Sequence, residues 1–153
     1  MTASVIFVSA QNVDRQIEAI RKAYTEANAK IAAAEADPTS ADLYMNELRV
    51  NSGRAAWPAV GIYNSTVRFF YEIRGEGPYP NSLFKINVRT ERSARIETEE
   101  LLFDAGEKLV FYFSDDGELR TRAYFADGRA IRFLKGTTNS ALTSQAAKSE
   151  LSS

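Results

Sequence analysis

Two hydrophobic periods, each confined to its own part of the chain, limit what this sequence can fold into. Val13, Ile17, Ile20, Tyr24, Ala27, Ile31 and Ala34 recur at alternating steps of four and three. That spacing lines them up as one stripe on an α-helix. From Thr66 the period becomes two, with Val67, Phe69, Tyr71 and Ile73 alternating with Arg68, Glu72 and Arg74. Alternation of this kind marks a strand with one face buried. A helical stripe followed by a run of strands predicts an α+β domain in which the stripe buries against one face of a sheet.

Local signals set the bounds of these elements. Asn12 is a suitable N-cap, Asp14 falls in the first turn, and Asp37-Pro38 ends the run. A helix of about 24 residues, roughly 36 Å long, is expected between them. The same spacing fits a coiled-coil seam between two copies, but alanines at several seam positions favour packing on a sheet. Residues 38–48 fit either a short helix, with Pro38 at its first position, or a strand through Tyr44, Leu48 and Val50 toward Asn51-Ser52-Gly53. The strand is the expectation adopted here.

Beyond Ile73, two glycines and two prolines between 75 and 80 break the ladder. Phe84, Ile86 and Val88 resume the alternation, residues 96–103 follow an Arg-rich bend, and 109–113 are apolar on both faces. Turns at Asp104-Ala105-Gly106, Asp116-Gly117 and Asp127-Gly128 are spaced eleven or twelve residues apart. The last two are two-residue hairpin signals, because Asp and Gly tolerate positive φ. The prediction is a long N-terminal helix on a curled antiparallel meander of about six strands, nearly closing around Phe69, Tyr71, Phe111 and Phe113. Residues 12–136 form this single domain. Residues 137–153, rich in Ser, Thr and Ala, read as a flexible tail.

Composition narrows the chemistry. The 153 residues carry a net charge of −1, which gives no general attraction to nucleic acid or an anionic membrane. No apolar run reaches the length of a membrane span. With no cysteine and no histidine, the chain holds no disulfide, no thiolate or imidazole metal site, and no Ser-His-Asp or Cys-His catalysis. No cofactor is implied. Carboxylate, lysine, tyrosine or serine chemistry remains, or none.

At the N-terminus, Val5-Ile6-Phe7-Val8 precedes Ser9-Ala10-Gln11, with small residues where a signal peptidase cuts. Residues 1–11 read as a signal-peptide remnant or a disordered start, with the mature chain beginning near Gln11. Five strings occur in order: I-x-x-I-R-K-A-Y (17–24), W-P-A-V-G (57–61), E-E-L-L-F-D (99–104), L-V-F-Y-F (109–113) and R-x-Y-F-x-D-G-R (122–129). Residues 12–135 thereby resemble small uncharacterised exported proteins of Gram-negative bacteria, and the resemblance implies a periplasmic or secreted address. The order of elements also resembles cystatin-like and NTF2-like folds. Neither resemblance carries a catalytic residue.

Three groups are candidate sites. Glu97, Glu99 and Glu100 are the densest acidic cluster, and Glu97 and Glu99 on a strand lie about 6.5–7 Å apart, a spacing compatible with a glycosidase pair. Arg89, Arg92 and Arg95 nearby favour ladder ion pairs instead. Arg120, Arg122, Arg129 and Arg132 suit an anion, or else neutralise Asp115, Asp116, Glu118 and Asp127 on an edge strand. Trp57, Tyr63 and Tyr79 are expected as ligand- or partner-binding aromatics, held in segments rich in proline and glycine. A core-lid role is the competing reading. The expected function is a non-enzymatic binding or interaction module of the cell envelope, monomeric or weakly dimeric, taking a small molecule, glycan or protein. The alternative is a small enzyme using carboxylate or tyrosine chemistry. A deep pocket holding Glu99 or Glu100 beside an aromatic favours that alternative.

Overall fold

The structure, a computed structural model, describes residues 4–39, 43–59, 61–93 and 95–140. One helix, α1 (Ser4–Ala36), precedes nine strands among the described residues. These are β1 (Leu43–Val50), β2 (Ala56–Trp57), β3 (Gly61–Glu72), β4 (Ser82–Arg92), β5 (Arg95–Phe103), β6 (Leu109–Asp115), β7 (Arg120–Ala126), β8 (Arg129–Lys135) and β9 (Thr138–Ser140). All pairings are antiparallel. The order β1-β3-β4-β5-β6-β7-β8-β9 follows the chain, with β2 attached to the start of β3. The α+β class and the meander therefore hold. Among the described residues the sheet is open, with β1 and β9 at its edges.

Several boundaries differ from expectation. The helix starts at Ser4, so Asn12 is interior rather than a cap. The stripe explains this, because its steps of three and four continue back from Val13 to Ala10 and Ile6. Asp127-Gly128 is the expected two-residue turn, with φ of 51° and 72°. Asp116-Gly117 is not. Asp115 pairs with Arg120, and Asp116 Oδ1 accepts the backbone N–H groups of Glu118 and Leu119 at 2.9 Å, which stabilises a four-residue connection. Thr138–Ser140 belongs to a strand rather than a tail. Gly136, at φ 62°, opens a two-residue hairpin that returns β9 onto β8. The rest of the expected tail, 141–153, lies outside the described residues.

The pairing registers arrange the helix-facing side of the sheet into transverse rows. Met45, Phe70, Lys85, Leu102, Phe111, Tyr124 and Arg132 form the row beneath α1. The helix crosses these strands at a steep angle. Asp14 pairs with Arg132 on β8, Arg21 meets Tyr124 on β7, and Lys30 pairs with Glu72 on β3. Ile17, Ile20, Ala27 and Ile31 bury against Phe70, Phe84, Leu102, Phe111 and Tyr124. From Val13 to Ile31 the stripe is thus consumed by this core.

Register shifts mark three β-bulges, where Phe84, Val110 and Ile131 are the extra residues on β4, β6 and β8. All three belong to the helix-side cluster, so each bulge adds one more side chain to the core. The strands show a second departure. Phe70, not Phe69 or Tyr71, faces α1, and the alternating set Val67, Phe69, Tyr71 points to the opposite side. The expected curl around Phe69 and Tyr71 is therefore corrected: alternation gives the parity of a strand but not which parity meets the helix.

Replacing Phe70 by alanine should cost about 3–5 kcal/mol, as for other buried large-to-small changes. Phe69→Ala should cost less than half as much. Denaturant melts of the two variants read the difference, and equal losses would contradict the register.

Candidate binding site

Beside the row under α1, a second row stays partly open: Glu47, Arg68, Asn87, Glu100, Phe113, Arg122 and Leu134. A third, wholly polar row runs Arg49, Thr66, Arg89, Thr98, Asp115 and Arg120. The helix therefore covers one part of the inner face and leaves the remainder as a groove along its flank. Two clefts occupy that groove. The first, about 380 Å³, lies over β1, β3, β4 and β5, lined by Arg49, Arg68, Asn87, Arg89, Glu99 and Glu100 among others. The second, about 460 Å³, lies between α1 and strands β6 and β7. Cavities of this size suit small molecules.

The first cleft is largely self-neutralised. Glu47 pairs with Arg49 at 2.5 Å and Arg68 at 2.9 Å, and Arg68 also reaches Glu35 at 3.5 Å. Arg49 and Arg68 hold the Glu47 carboxyl below its ordinary range. Glu91 is lowered likewise by the Arg54 fork, with help from Asn64.

The second cleft differs in kind. Tyr24, Phe111 and Tyr124 form its aromatic floor, with Tyr24 edge-on to Phe111 and both contacts of Phe111 at 5.0 Å between centroids. Three guanidinium groups, Arg21, Arg120 and Arg122, line it. Arg120 is held by Asp115 at 2.8 Å. Arg21 lies 5.7 Å from the Tyr124 centroid and reaches its hydroxyl at 3.4 Å. Arg122 donates only a long bond to the Gly136 carbonyl, and its Nε is buried without a partner. Neither Arg21 nor Arg122 has a carboxylate partner among the described residues.

Lys85 sits under the helix between Glu100, which lines the first cleft, and Tyr24, which lines the second. Its ammonium is fully buried, 2.5 Å from Glu100 Oε2, hydrogen-bonded to Asn28 Oδ1, and 4.6 Å from the Tyr24 centroid. Tyr24 donates its hydroxyl to the same Glu100 oxygen at 2.9 Å. Burial lowers the Lys85 pKa and Glu100 opposes the shift. Burial, with the Glu100 charge adding to it, raises that of Tyr24. Nothing in the spacing of the sequence distinguished Lys85 from the polar positions of an ordinary alternating strand.

The residues singled out from sequence are dispersed. Trp57 and Tyr63 do come together, with rings 5.3 Å apart and Arg92 over Tyr63 at 5.4 Å. However, Trp57 belongs to β2 and pairs with Gly61, so it is held in a ladder rather than projecting from a loop. Tyr79 is 77% exposed in the connection from Glu72 to Ser82, at the far end of β3 from Tyr63. That span is roughly 30 Å, so the three aromatics do not form one site. The acidic cluster divides between faces. Glu97 pairs with Arg92 at 3.0 Å and Glu99 accepts the Tyr112 hydroxyl at 2.7 Å, while Glu100 turns under α1. Of the four arginines, Arg120 neutralises Asp115, Arg132 holds Asp14 of the helix, and Arg122 lines the second cleft without a carboxylate partner among the described residues.

No family model, no curated protein and no solved structure matches the chain. No helix among the described residues is long and apolar enough to cross a membrane.

Lys85→Met should destabilise the fold by about 2–3 kcal/mol. That is less than a fully buried pair loses with one partner, because Glu100 retains some water and Tyr24. Lys85→Met with Glu100→Leu should recover most of the loss, and a double-mutant cycle measures the coupling. Acid gives an independent check on Glu47 and Glu91. Their folded pKa values lie below the unfolded ones, so their contribution is full above about pH 4.3 and lost as pH falls through the folded values. Melting midpoints should drop over that range, and less steeply at high salt.

Proposed function

We propose that the protein is a binding module that takes up small amphipathic organic anions, without covalent chemistry, in the cleft between α1 and strands β6 and β7. One observation carries this reading: Arg21 and Arg122 border an aromatic floor with no carboxylate to neutralise either of them among the described residues. An anionic head group supplies what their donors lack, and a charge-assisted bond of that kind contributes about 1.5–3 kcal/mol. An apolar or aromatic body covers Tyr24, Phe111, Phe113 and Tyr124. The resemblance of residues 12–135 to small exported proteins supports an address in the cell envelope.

Calorimetric titration with 1-naphthoate tests the reading, with sulfate as a charge-only control and naphthalene as an apolar-only control. Binding of naphthoate alone is expected. Arg21→Gln and Arg122→Gln should each weaken it about tenfold or more while leaving the free energy of unfolding within about 0.5 kcal/mol. Undiminished binding by both variants, or loss on Trp57→Ala instead, would overturn the assignment of the cleft.

A second reading, an enzyme using carboxylate or tyrosine chemistry, is favoured by the position of Glu100, which borders the first cleft and contacts Tyr24. Against it, both the Lys85 ammonium and the Tyr24 hydroxyl already engage Glu100 Oε2. A reaction abolished by Glu100→Gln in a folded protein would establish this second reading.

A further inference from the structure

The first cleft pairs many of its charges but leaves an acceptor at one level of the ladder and a cation at the next. Asn87 and Glu100 lie opposite each other on β4 and β5, and one level further along Arg89 lies between Thr66 and Thr98. These five residues line the same cavity of about 380 Å³. The Asn87 carboxamide oxygen is buried without a hydrogen-bond partner. A buried acceptor left unmade carries its full desolvation cost, so it calls for a donor. Glu100 engages Lys85 and Tyr24 through Oε2 and still borders the cleft. At the next level, Arg89 is loosely held. Its ion pair with Glu91 is 3.9 Å long, and Arg54 already grips that carboxylate with bonds of 2.7 and 3.0 Å. The neighbouring cations are better engaged, since Arg49 and Arg68 both pair with Glu47.

We infer that the first cleft is a second binding site, for a small zwitterion whose ammonium and carboxylate lie a carbon or two apart, as in a free amino acid. The signs of the lining select this class. A simple anion placed here meets the Glu100 carboxylate, and a simple cation meets Arg49, Arg68 and Arg89. A zwitterion satisfies both ends at once. Its ammonium donates to Asn87 Oδ1, with the Glu100 charge beside it. Its carboxylate accepts from the Arg89 guanidinium, a charge-assisted bond, and from the hydroxyls of Thr66 and Thr98. Spacing selects a short ligand. The two levels are about 7 Å apart along the strands, and hydrogen bonds of about 2.9 Å at each end leave room for a short spacer only. The inference stands apart from the aromatic cleft, because neither Arg21 nor Arg122 lines this one.

Nitrogen-15 NMR of the full chain is the test, with glycine, L-alanine, L-serine and L-glutamine as probes. Propionate and ethylammonium, each carrying one of the two charges, are the controls. At least one amino acid should shift the Asn87 side-chain amide and the Arg89 Nε resonances saturably at millimolar concentration, and neither control should do so. Asn87→Leu and Arg89→Gln should each weaken this binding about tenfold or more with an unchanged far-UV spectrum. Arg122→Gln should leave it intact, so that failure of the aromatic cleft and failure of this site are told apart. Should Asn87→Leu fail to fold, Arg89→Gln, at a half-exposed position, decides alone. No saturable shift with any of the amino acids, equal binding of either control, or full binding by the folded variants would each overturn the inference.

Discussion

A lysine ammonium enclosed between the helix and the sheet has to be satisfied where it lies, and the groups that satisfy it come from both layers. Glu100 of β5 supplies the charge, Asn28 of α1 the amide oxygen, and the Tyr24 ring an aromatic face. An apolar stripe alone lets a helix slide or roll over a greasy sheet at small cost. A buried charge with directional partners does not, since any displacement leaves it unsatisfied in a medium of low polarity. Lys85 thereby fixes which part of the inner face lies under α1. It also fixes which part remains a groove.

The groove follows from the ladder itself. Registers bring residues of six or seven strands to common levels, and the level beneath the helix is apolar except for Lys85 and Arg132 while the outermost is all polar. Bulges at Phe84, Val110 and Ile131 enlarge the apolar level without lengthening any strand. The boundary between the levels is where aromatic rings and guanidinium groups meet, and the clefts lie along it. The geometry of the site is therefore a consequence of how the core is filled.

Much of this architecture was legible in the residues. The helix spacing, the evenly spaced turns and the Asp127-Gly128 hairpin each depend on local chemistry that a single segment carries in full. What was not legible depends on pairing. Phe70 lies between two aromatic neighbours, so period two marked it as an outward position, and only the register with Met45 and Lys85 brings it under the helix. Arg122 read as protection for an edge strand, yet neither β7 nor β8 is an edge, because Gly136-Thr137 folds one more strand onto the sheet. Trp57 read as a loop aromatic, and two ladder pairs hold it in place. Lys85 gave no signal at all, since burial of an ammonium is a property of the assembled layers.

The order of the sheet also bears on how the chain reaches its fold. Strands adjacent in sequence are adjacent in space, so apart from the connection past β2 each pairing closes a short loop and can form as the chain lengthens. The helix is the exception. Its Asp14 meets Arg132 across 118 positions, and its Tyr24 meets Glu100 across 76. During synthesis α1 leaves the ribosome before any strand that will receive it, and its partners run from Glu72 on β3 to Arg132 on β8, so its stripe is fully covered only once β8 has joined the sheet. Of the described elements, the one made earliest is the one whose seat is completed last.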